Sequence, residues 1–142
     1  LGFKTCFHCG EEGPAENIAS MVAAGVDRID HGTRLLDLPE LAARVVDEQI
    51  PITSCPSSNV ELEIVPTLED HPFARQVDAG ALVTLNSDDP AFFRFDLADE
   101  YARIAAAFGY NFEEMVAIRD RAIDAAWLDA NEKESLRAAF AP

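Results

Sequence analysis

Short apolar runs alternate with amphipathic stretches along most of this chain. The runs are short, and most are bounded by glycine or proline, which is the pattern of buried strands. They cover residues 3–8, 26–31, 50–55 and 82–86. Between them, apolar residues recur every three or four positions, which predicts helices. These helices are predicted after Pro14 as far as Gly25, from Asp37 or Leu38 to just before Pro51, and from His71-Pro72 to Ala79.

The remainder of the chain is predicted to be helical with two less regular segments. A helix is predicted over residues 96–108, a second from the N-cap Asn111 to about Leu128, and a third from the N-cap Asn131 to Phe140. Pro56-Ser57-Ser58-Asn59 has the composition of a turn, and residues 60–70 are predicted to be a loop with at most a short irregular turn.

The order is therefore strand then helix four times, followed by extra helices, which predicts an α/β fold with a parallel sheet. Two architectures fit this order, part of a (β/α)8 barrel and a small open doubly wound sheet. No G-x-G-x-x-G or G-x-x-x-x-G-K-[ST] motif follows any predicted strand, so the sequence does not support a nucleotide-phosphate cradle.

Composition narrows the classes of function. The 142 residues are 49% hydrophobic, and their formal net charge of −15 argues against binding to nucleic acid or to an anionic membrane. No apolar run approaches the length of about 18 residues that a membrane span needs, and the first 15 residues do not resemble a signal peptide. Three cysteines, Cys6, Cys9 and Cys55, fit a reducing compartment. We therefore expect a cytoplasmic protein, with Cys6 as a small core residue.

Polar side chains follow every predicted strand. They are His8 and Glu11 after the first, His31 at the second, Ser54, Ser57 and Asn59 after the third, and Asp88 and Asp89 after the fourth. Singly, each has a structural explanation: a histidine can be hydrogen-bonded in a core, and Asp88 or Asp89 can cap a helix that begins at Pro90. Jointly they indicate an active site, because (β/α)8 enzymes build theirs at this edge of the sheet. Histidine and carboxylate side chains are ligands for a zinc-like ion.

Four motifs together resemble the C-terminal half of the adenosine/adenine deaminase family. They are His8-Cys9-Gly10-Glu11, Asp30-His31-Gly32, the segment from Ser54 to Asn59, and Asn86-Ser87-Asp88-Asp89-Pro90. Their order and spacing match the family through nearly the whole chain. Two features depart from it: Cys9 stands where the family usually has alanine, and Arg94-Phe95-Asp96 replaces the glycine-rich continuation expected of adenine deaminases.

The resemblance implies a role for each site residue. His8 and Asp88 would bind zinc, one ion per intact active site, and Asp88 would also help to position the attacking water. Glu11 would protonate the purine ring nitrogen N1, and His31 would orient or deprotonate that water. Asp89 would hydrogen-bond to N7 of the purine, and Gly10 is expected among the substrate-binding residues.

The resemblance also implies that residues 1–142 are one half of a (β/α)8 barrel, about four strands of it. The family's first strand carries an H-x-H pair that completes the zinc site, and this chain has no H-x-H. Its own ligands number two, whereas a catalytic zinc usually takes three from the protein. We therefore expect a missing N-terminal half-barrel, or self-association, to cover the open strand edges, and we expect the isolated chain to be inactive.

The implied activity is a zinc-dependent hydrolase reaction that converts adenosine to inosine and ammonia. Three alternatives remain open: an adenine deaminase, a deaminase of another aminated purine such as aminodeoxyfutalosine, and an inactive half-barrel that serves only as an interaction module. Physically the chemistry is consistent, because zinc lowers the pKa of water from about 15.7 toward about 7 and a protonated carboxyl can neutralise charge that develops on the ring.

Overall fold

A computed structural model describes residues 2–140, and within them it contains one sheet of four parallel strands. The strands are β1 (Cys6–Cys9), β2 (Arg28–His31), β3 (Ile52–Ser54) and β4 (Val83–Leu85). Each pairs only with its neighbours in sequence, in the order β1-β2-β3-β4. A doubly wound sheet departs from sequential order, whereas a barrel keeps it. Of the two predicted architectures, the structure therefore has that of a barrel segment.

Helices follow the strands as the alternating pattern predicts. They are α1 (Ala15–Ala23), α2 (Pro39–Asp47), α3 (Pro56–Glu61), α4 (Phe73–Asp78), α5 (Pro90–Phe93), α6 (Leu97–Phe108), α7 (Phe112–Ala125) and α8 (Ala130–Ala139), with a short 3-10 helix at Leu35–Asp37. None of the helices in the described part of the chain is both long and apolar enough to cross a membrane.

Reciprocal capping fixes where the last three helices begin. Asp96 caps α6, Asn111 caps α7 as predicted, and Asp129 caps α8. The prediction that Asn131 caps the last helix is wrong. Asp129 takes this position because its carboxylate accepts hydrogen bonds from the backbone N–H groups of Asn131 and Glu132, at 2.8 and 2.9 Å.

The predicted turn at residues 56–59 is also wrong, because this segment forms the first turn of α3. Pro56 occupies the first helical position, where a missing N–H costs nothing. The N–H of Ser57 donates to the buried carboxylate of Glu100 on α6, at 2.9 Å. A contact 43 residues away in sequence thus stabilises the start of a helix that local composition disfavours.

The core lies between the sheet and the helices that cover one of its faces. Its fully buried side chains come from α1, α2, α6 and strands β2, β3 and β4, and include Ile18, Ile29, Val45, Ile52, Val83 and Ile104. Helix α7 packs on β4, and Arg121 on that helix donates to the carbonyl of Ala81 at 2.7 Å.

Cys6, which was predicted to be a small core residue, does not lie in the core, and neither does Trp127. The Cys6 side chain is exposed, and its thiol donates to the carboxylate of Asp30 at 3.1 Å. Trp127 is 46% exposed, and the guanidinium of Arg28 lies 4.2 Å above its ring. Cys6 stands on the sheet face that residues 2–140 leave uncovered, and Trp127 follows the end of α7 rather than lying within it.

Candidate active site

The turn after β1 places His8 and Glu11 next to each other. Gly10 adopts a φ of 67°, and a Cβ built on it would lie 2.3 Å from Cδ1 of Ile18. Only glycine fits this close approach between the turn and α1. The side chain of His8 is 69% exposed on the open face of the sheet, and that of Glu11 is 17% exposed.

His31 ends β2 in a backbone conformation that few residues adopt. Its φ is 65°, and its side chain is only 2% exposed. The Nδ1 atom lies 3.3 Å from Oε1 of Glu11, and the ring packs edge-on against that of His8 with centroids 4.7 Å apart. A left-handed backbone at a β-strand end is costly, and such conformations concentrate at functional sites.

The two carboxylates after β4, those of Asp88 and Asp89, lie in different surroundings. Asp88 has a φ of 59°, the second left-handed conformation at a predicted site residue other than glycine, and it lines the same cleft as His8 and His31. Asp89 caps α5, because its Oδ1 accepts the N–H of Phe92 at 3.1 Å. The structure therefore brings His8, Glu11, His31 and Asp88 together, whereas Asp89 lies beside this group with one oxygen engaged in the cap.

An open cleft of ≈ 370 Å³ lies at the carboxyl ends of the strands. Its lining consists of His8, His31, Thr53, Cys55, Asn86, Ser87, Asp88 and Leu97. A smaller hollow of ≈ 200 Å³ adjoins it at the first turn, where Gly10 and Glu11 join His8 in the lining. The cleft is thus rich in polar groups that come from all four strand ends.

Burial sets the ionisation of the inner groups. It lowers the pKa of His31, and the neighbouring Glu11 carboxylate opposes only part of that effect. It raises the pKa of the Cys55 thiol, an effect to which the charge of Asp88 adds. In the metal-free protein Cys55 therefore stays a thiol at neutral pH.

Among residues 2–140, two overlapping groups of side chains could hold a cation. His8, Glu11 and His31 offer ligand atoms within 4.8 Å of one another, and so do His31, Cys55 and Asp88. Imidazole nitrogens and carboxylate oxygens are the ligands that zinc takes in catalytic sites, so the donor set fits zinc. The predicted ligands His8 and Asp88 fall in separate groups that share His31.

Asn59 is a site residue whose role was not predicted from the sequence. Its side-chain Nδ2 donates to Oε1 of Glu11 at 2.9 Å and lies 3.4 Å from Nδ1 of His31. The signal available in the sequence was its position after β3, which matched the positions of the other site residues, but turn composition was the stronger local pattern.

Four sequential parallel strands whose carboxyl ends carry imidazole and carboxylate groups define a segment of a (β/α)8-barrel protein with its site at the usual edge. The chain belongs to the adenosine deaminase family, because the model of that family matches residues 1–141. The family predicted from the four motifs is thereby confirmed.

Named relatives agree with this assignment. The chain is 40% identical over 141 residues to an adenine deaminase of Streptomyces coelicolor, covering 99% of this chain and 41% of that protein. Among solved structures, an adenine deaminase of Arthrobacter aurescens superposes with a TM-score of 0.91 at 34% identity, covering 95% of this chain and 42% of that one.

Two further structures bear on ligands. An amidohydrolase of Burkholderia ambifaria with bound Zn has a TM-score of 0.88 at 32% identity, covering 99% of this chain and 40% of that one. The N6-methyl-AMP deaminase of Arabidopsis thaliana has a TM-score of 0.86 at 28% identity, covering 96% and 40%. The chain thus spans about 40% of the length of these relatives, with the fold of part of their barrel.

Proposed function

We propose that this protein acts in the hydrolytic deamination of an aminopurine at C6, with residues 1–142 as the C-terminal half of the catalytic barrel. The observation that carries the proposal is the convergence of His8, Glu11 and His31 within 4.8 Å, beside Asp88 in one cleft, in a chain of the adenosine deaminase family.

The proposed reaction divides the chemistry among these residues. Zinc, held by His8 and Asp88 with ligands from outside this chain, would make water a stronger nucleophile at neutral pH. His31 orients the attacking water or accepts its proton, and Glu11 donates a proton to the ring nitrogen N1. Water adds at C6 and ammonia leaves, so that adenine gives hypoxanthine and adenosine gives inosine.

Substrate recognition is proposed to involve Asp89 and Gly10. The helix cap engages Oδ1 of Asp89, so Oδ2 is the oxygen that we assign to N7 of the purine. Gly10 brings backbone close to the hollow that Glu11 lines. Adenine is the first candidate substrate, because the most similar relatives reported above are adenine deaminases. Adenosine, the substrate implied by the departure at residues 94–96, is the second.

The partner in this proposal is the other half of the barrel. Edge strands β1 and β4 each pair on one side only within the described residues, and His8 faces out from the uncovered side of the sheet. A parallel N-terminal half-barrel would pair both edges and supply the remaining zinc ligands. A second copy of this chain would pair the edges without adding an H-x-H motif.

An ammonia-release assay tests the proposal directly. The chain is assayed with zinc, alone and mixed with the N-terminal half of the Streptomyces coelicolor adenine deaminase, on adenine, adenosine and AMP. We expect turnover only in the mixture. Glu11→Gln should lower kcat by at least about 100-fold, because a general acid contributes that much, whereas Glu40→Gln, at an exposed position on α2 away from the cleft, should have no effect.

Zinc binding gives a separate test of the metal assignment. By mass spectrometry under native conditions, the active mixture should carry about one zinc per assembled barrel, and His8→Ala or Asp88→Ala should abolish it. Asp47→Ala, at an exposed position on α2, is the matched control. Full zinc occupancy in both ligand variants would contradict the assignment, and turnover by the chain alone would contradict the half-barrel proposal.

A further inference from the structure

A buried amide lies directly behind the proposed proton donor. Asn59 is 0% exposed, and both ends of its carboxamide are engaged. Nδ2 donates to Oε1 of Glu11 at 2.9 Å, and Oδ1 accepts from the hydroxyl of Thr33 at 3.1 Å. The second neighbour of Oδ1 is Nε2 of His71, also at 3.1 Å.

The backbone fixes which nitrogen of His71 carries the proton. The N–H of Phe73 donates to Nδ1 at 3.1 Å, and because a backbone N–H can only donate, Nδ1 has no proton. The neutral ring then carries its proton on Nε2, which donates to Oδ1 of Asn59. His71 is 2% exposed, and its burial lowers its pKa to about 4, so the ring is neutral at pH 7.

This arrangement allows only one orientation of the Asn59 amide. If the amide were flipped, Nδ2 would face the Nε2–H of His71, and two donors would meet. The ring could not avoid this by moving its proton to Nδ1, because that proton would then face the Phe73 N–H. The amide N–H groups are therefore directed at Glu11 and His31.

We propose that His71 and Asn59 are positioning residues that hold Oε1 of Glu11 as a hydrogen-bond acceptor, so that the proton Glu11 donates to substrate sits on Oε2. The inference rests on the proposed function for its catalytic consequence. It extends that function by assigning roles to Asn59 in α3 and to His71 just before α4, and neither of them needs to contact the purine or the metal.

Two substitutions of one residue separate positioning from simple packing. His71→Gln places an amide N–H near the position of Nε2 and so preserves the donor to Asn59. His71→Asn places an amide oxygen near the position of Nδ1 and so preserves the acceptor for Phe73 N–H, but it removes the donor to Asn59. If His71 serves only to accept the Phe73 N–H, His71→Asn should lower kcat less than His71→Gln. If His71 positions Asn59, His71→Gln should lower kcat less.

Kinetics are measured on whichever preparation turns over in the assay above. We expect kcat to fall by about 10-fold or more in His71→Asn and by about 10- to 100-fold in Asn59→Leu, with KM nearly unchanged, because misplacement of a donor acts on the transition state. His71→Gln should keep kcat within about 3-fold of the native protein. A larger loss in His71→Gln than in His71→Asn would overturn the inference, as would an unchanged kcat in Asn59→Leu.

Nuclear magnetic resonance tests the hydrogen bonds between His71, Asn59 and Glu11 independently of catalysis. Long-range 1H–15N correlation of the histidine rings at pH 7 should show His71 protonated at Nε2 and not at Nδ1, and His71→Asn should shift the Asn59 amide signals more than His71→Gln does. A ring protonated at Nδ1, or at both nitrogens, would overturn the inference. Failure of every preparation to deaminate a purine would contradict the proposed function, and these spectra would still support or overturn the hydrogen-bond network.

Discussion

His71 makes part of the stability of this protein depend on pH, and its replacement should remove that part. The ring is 2% exposed and its pKa is lowered to about 4 by burial, with smaller contributions from His31 and Arg75. An unfolded histidine titrates near 6.5. Because the folded pKa lies below the unfolded one, the contribution to stability is complete above about pH 6.5 and is lost as the pH falls toward about 4.

The size of the effect follows from these two pKa values. One pKa unit corresponds to about 1.4 kcal/mol, so linkage predicts that the native protein loses about 2 kcal/mol between pH 7 and pH 5 through His71 alone. A glutamine at position 71 does not titrate, so the His71→Gln variant does not lose this unfolding free energy. It does lose the hydrogen bond from Phe73, which costs about 1 kcal/mol at any pH.

The native protein should therefore be the more stable of the two at pH 7 and the less stable at pH 5. Urea unfolding followed by circular dichroism at both pH values measures the two differences. His31 titrates in both proteins, so its contribution cancels in the comparison. A gap in unfolding free energy that is the same at pH 7 and pH 5 would refute the reasoning, because it would mean that His71 binds protons equally in the folded and unfolded states.

Three further outcomes can be checked on the same chain. Gly10→Ala should cost about 2–4 kcal/mol in urea unfolding, since it adds a clash with Ile18 to the left-handed strain, whereas Gly109→Ala, with a φ of 69° and open space around it, should cost only about 1 kcal/mol. Asp129→Ala should lower the unfolding free energy by about 1 kcal/mol and Asn131→Ala by less than about 0.5, and equal losses would contradict the observed cap. Iodoacetamide followed by peptide mass spectrometry should modify the exposed Cys6 before the buried Cys9 and Cys55, although a pKa raised to about 12 slows even Cys6.

The strands were predictable because each is short, apolar and closed by a chain-breaking residue. The segment 82–86 was expected to be a strand, and β4 covers Val83–Leu85 within it. The alternation of strands and helices predicted a parallel sheet. The choice between a barrel and a doubly wound fold required the pairing order of the strands, which the structure provides. Local pattern thus identified the elements, and their spatial order required tertiary contacts.

The face on which a strand residue lies was easier to predict than whether that face is buried. Alternation along β1 places Cys6 and His8 on one face of the sheet and Cys9 on the other. It could not tell which face would be covered, because covering groups come from elsewhere in the chain or from another one. Cys9 is buried under the helices, and Cys6 is exposed on the open face.

The same limit explains why the strand-end rule found part of the site and missed the rest. Strand ends meet at one edge of a parallel sheet, so His8, His31 and Asp88 could be expected to converge from their positions alone. Asn59 reaches Glu11 across 48 residues of sequence only because the first turn of α3, rather than a surface turn, follows β3. The N–H of Ser57 in that turn donates to the buried carboxylate of Glu100. The orientation of the Asn59 amide depends, through His71, on the backbone N–H of Phe73. Residues that hold a donor in place act through such long-range contacts, and these contacts become visible only in the folded chain.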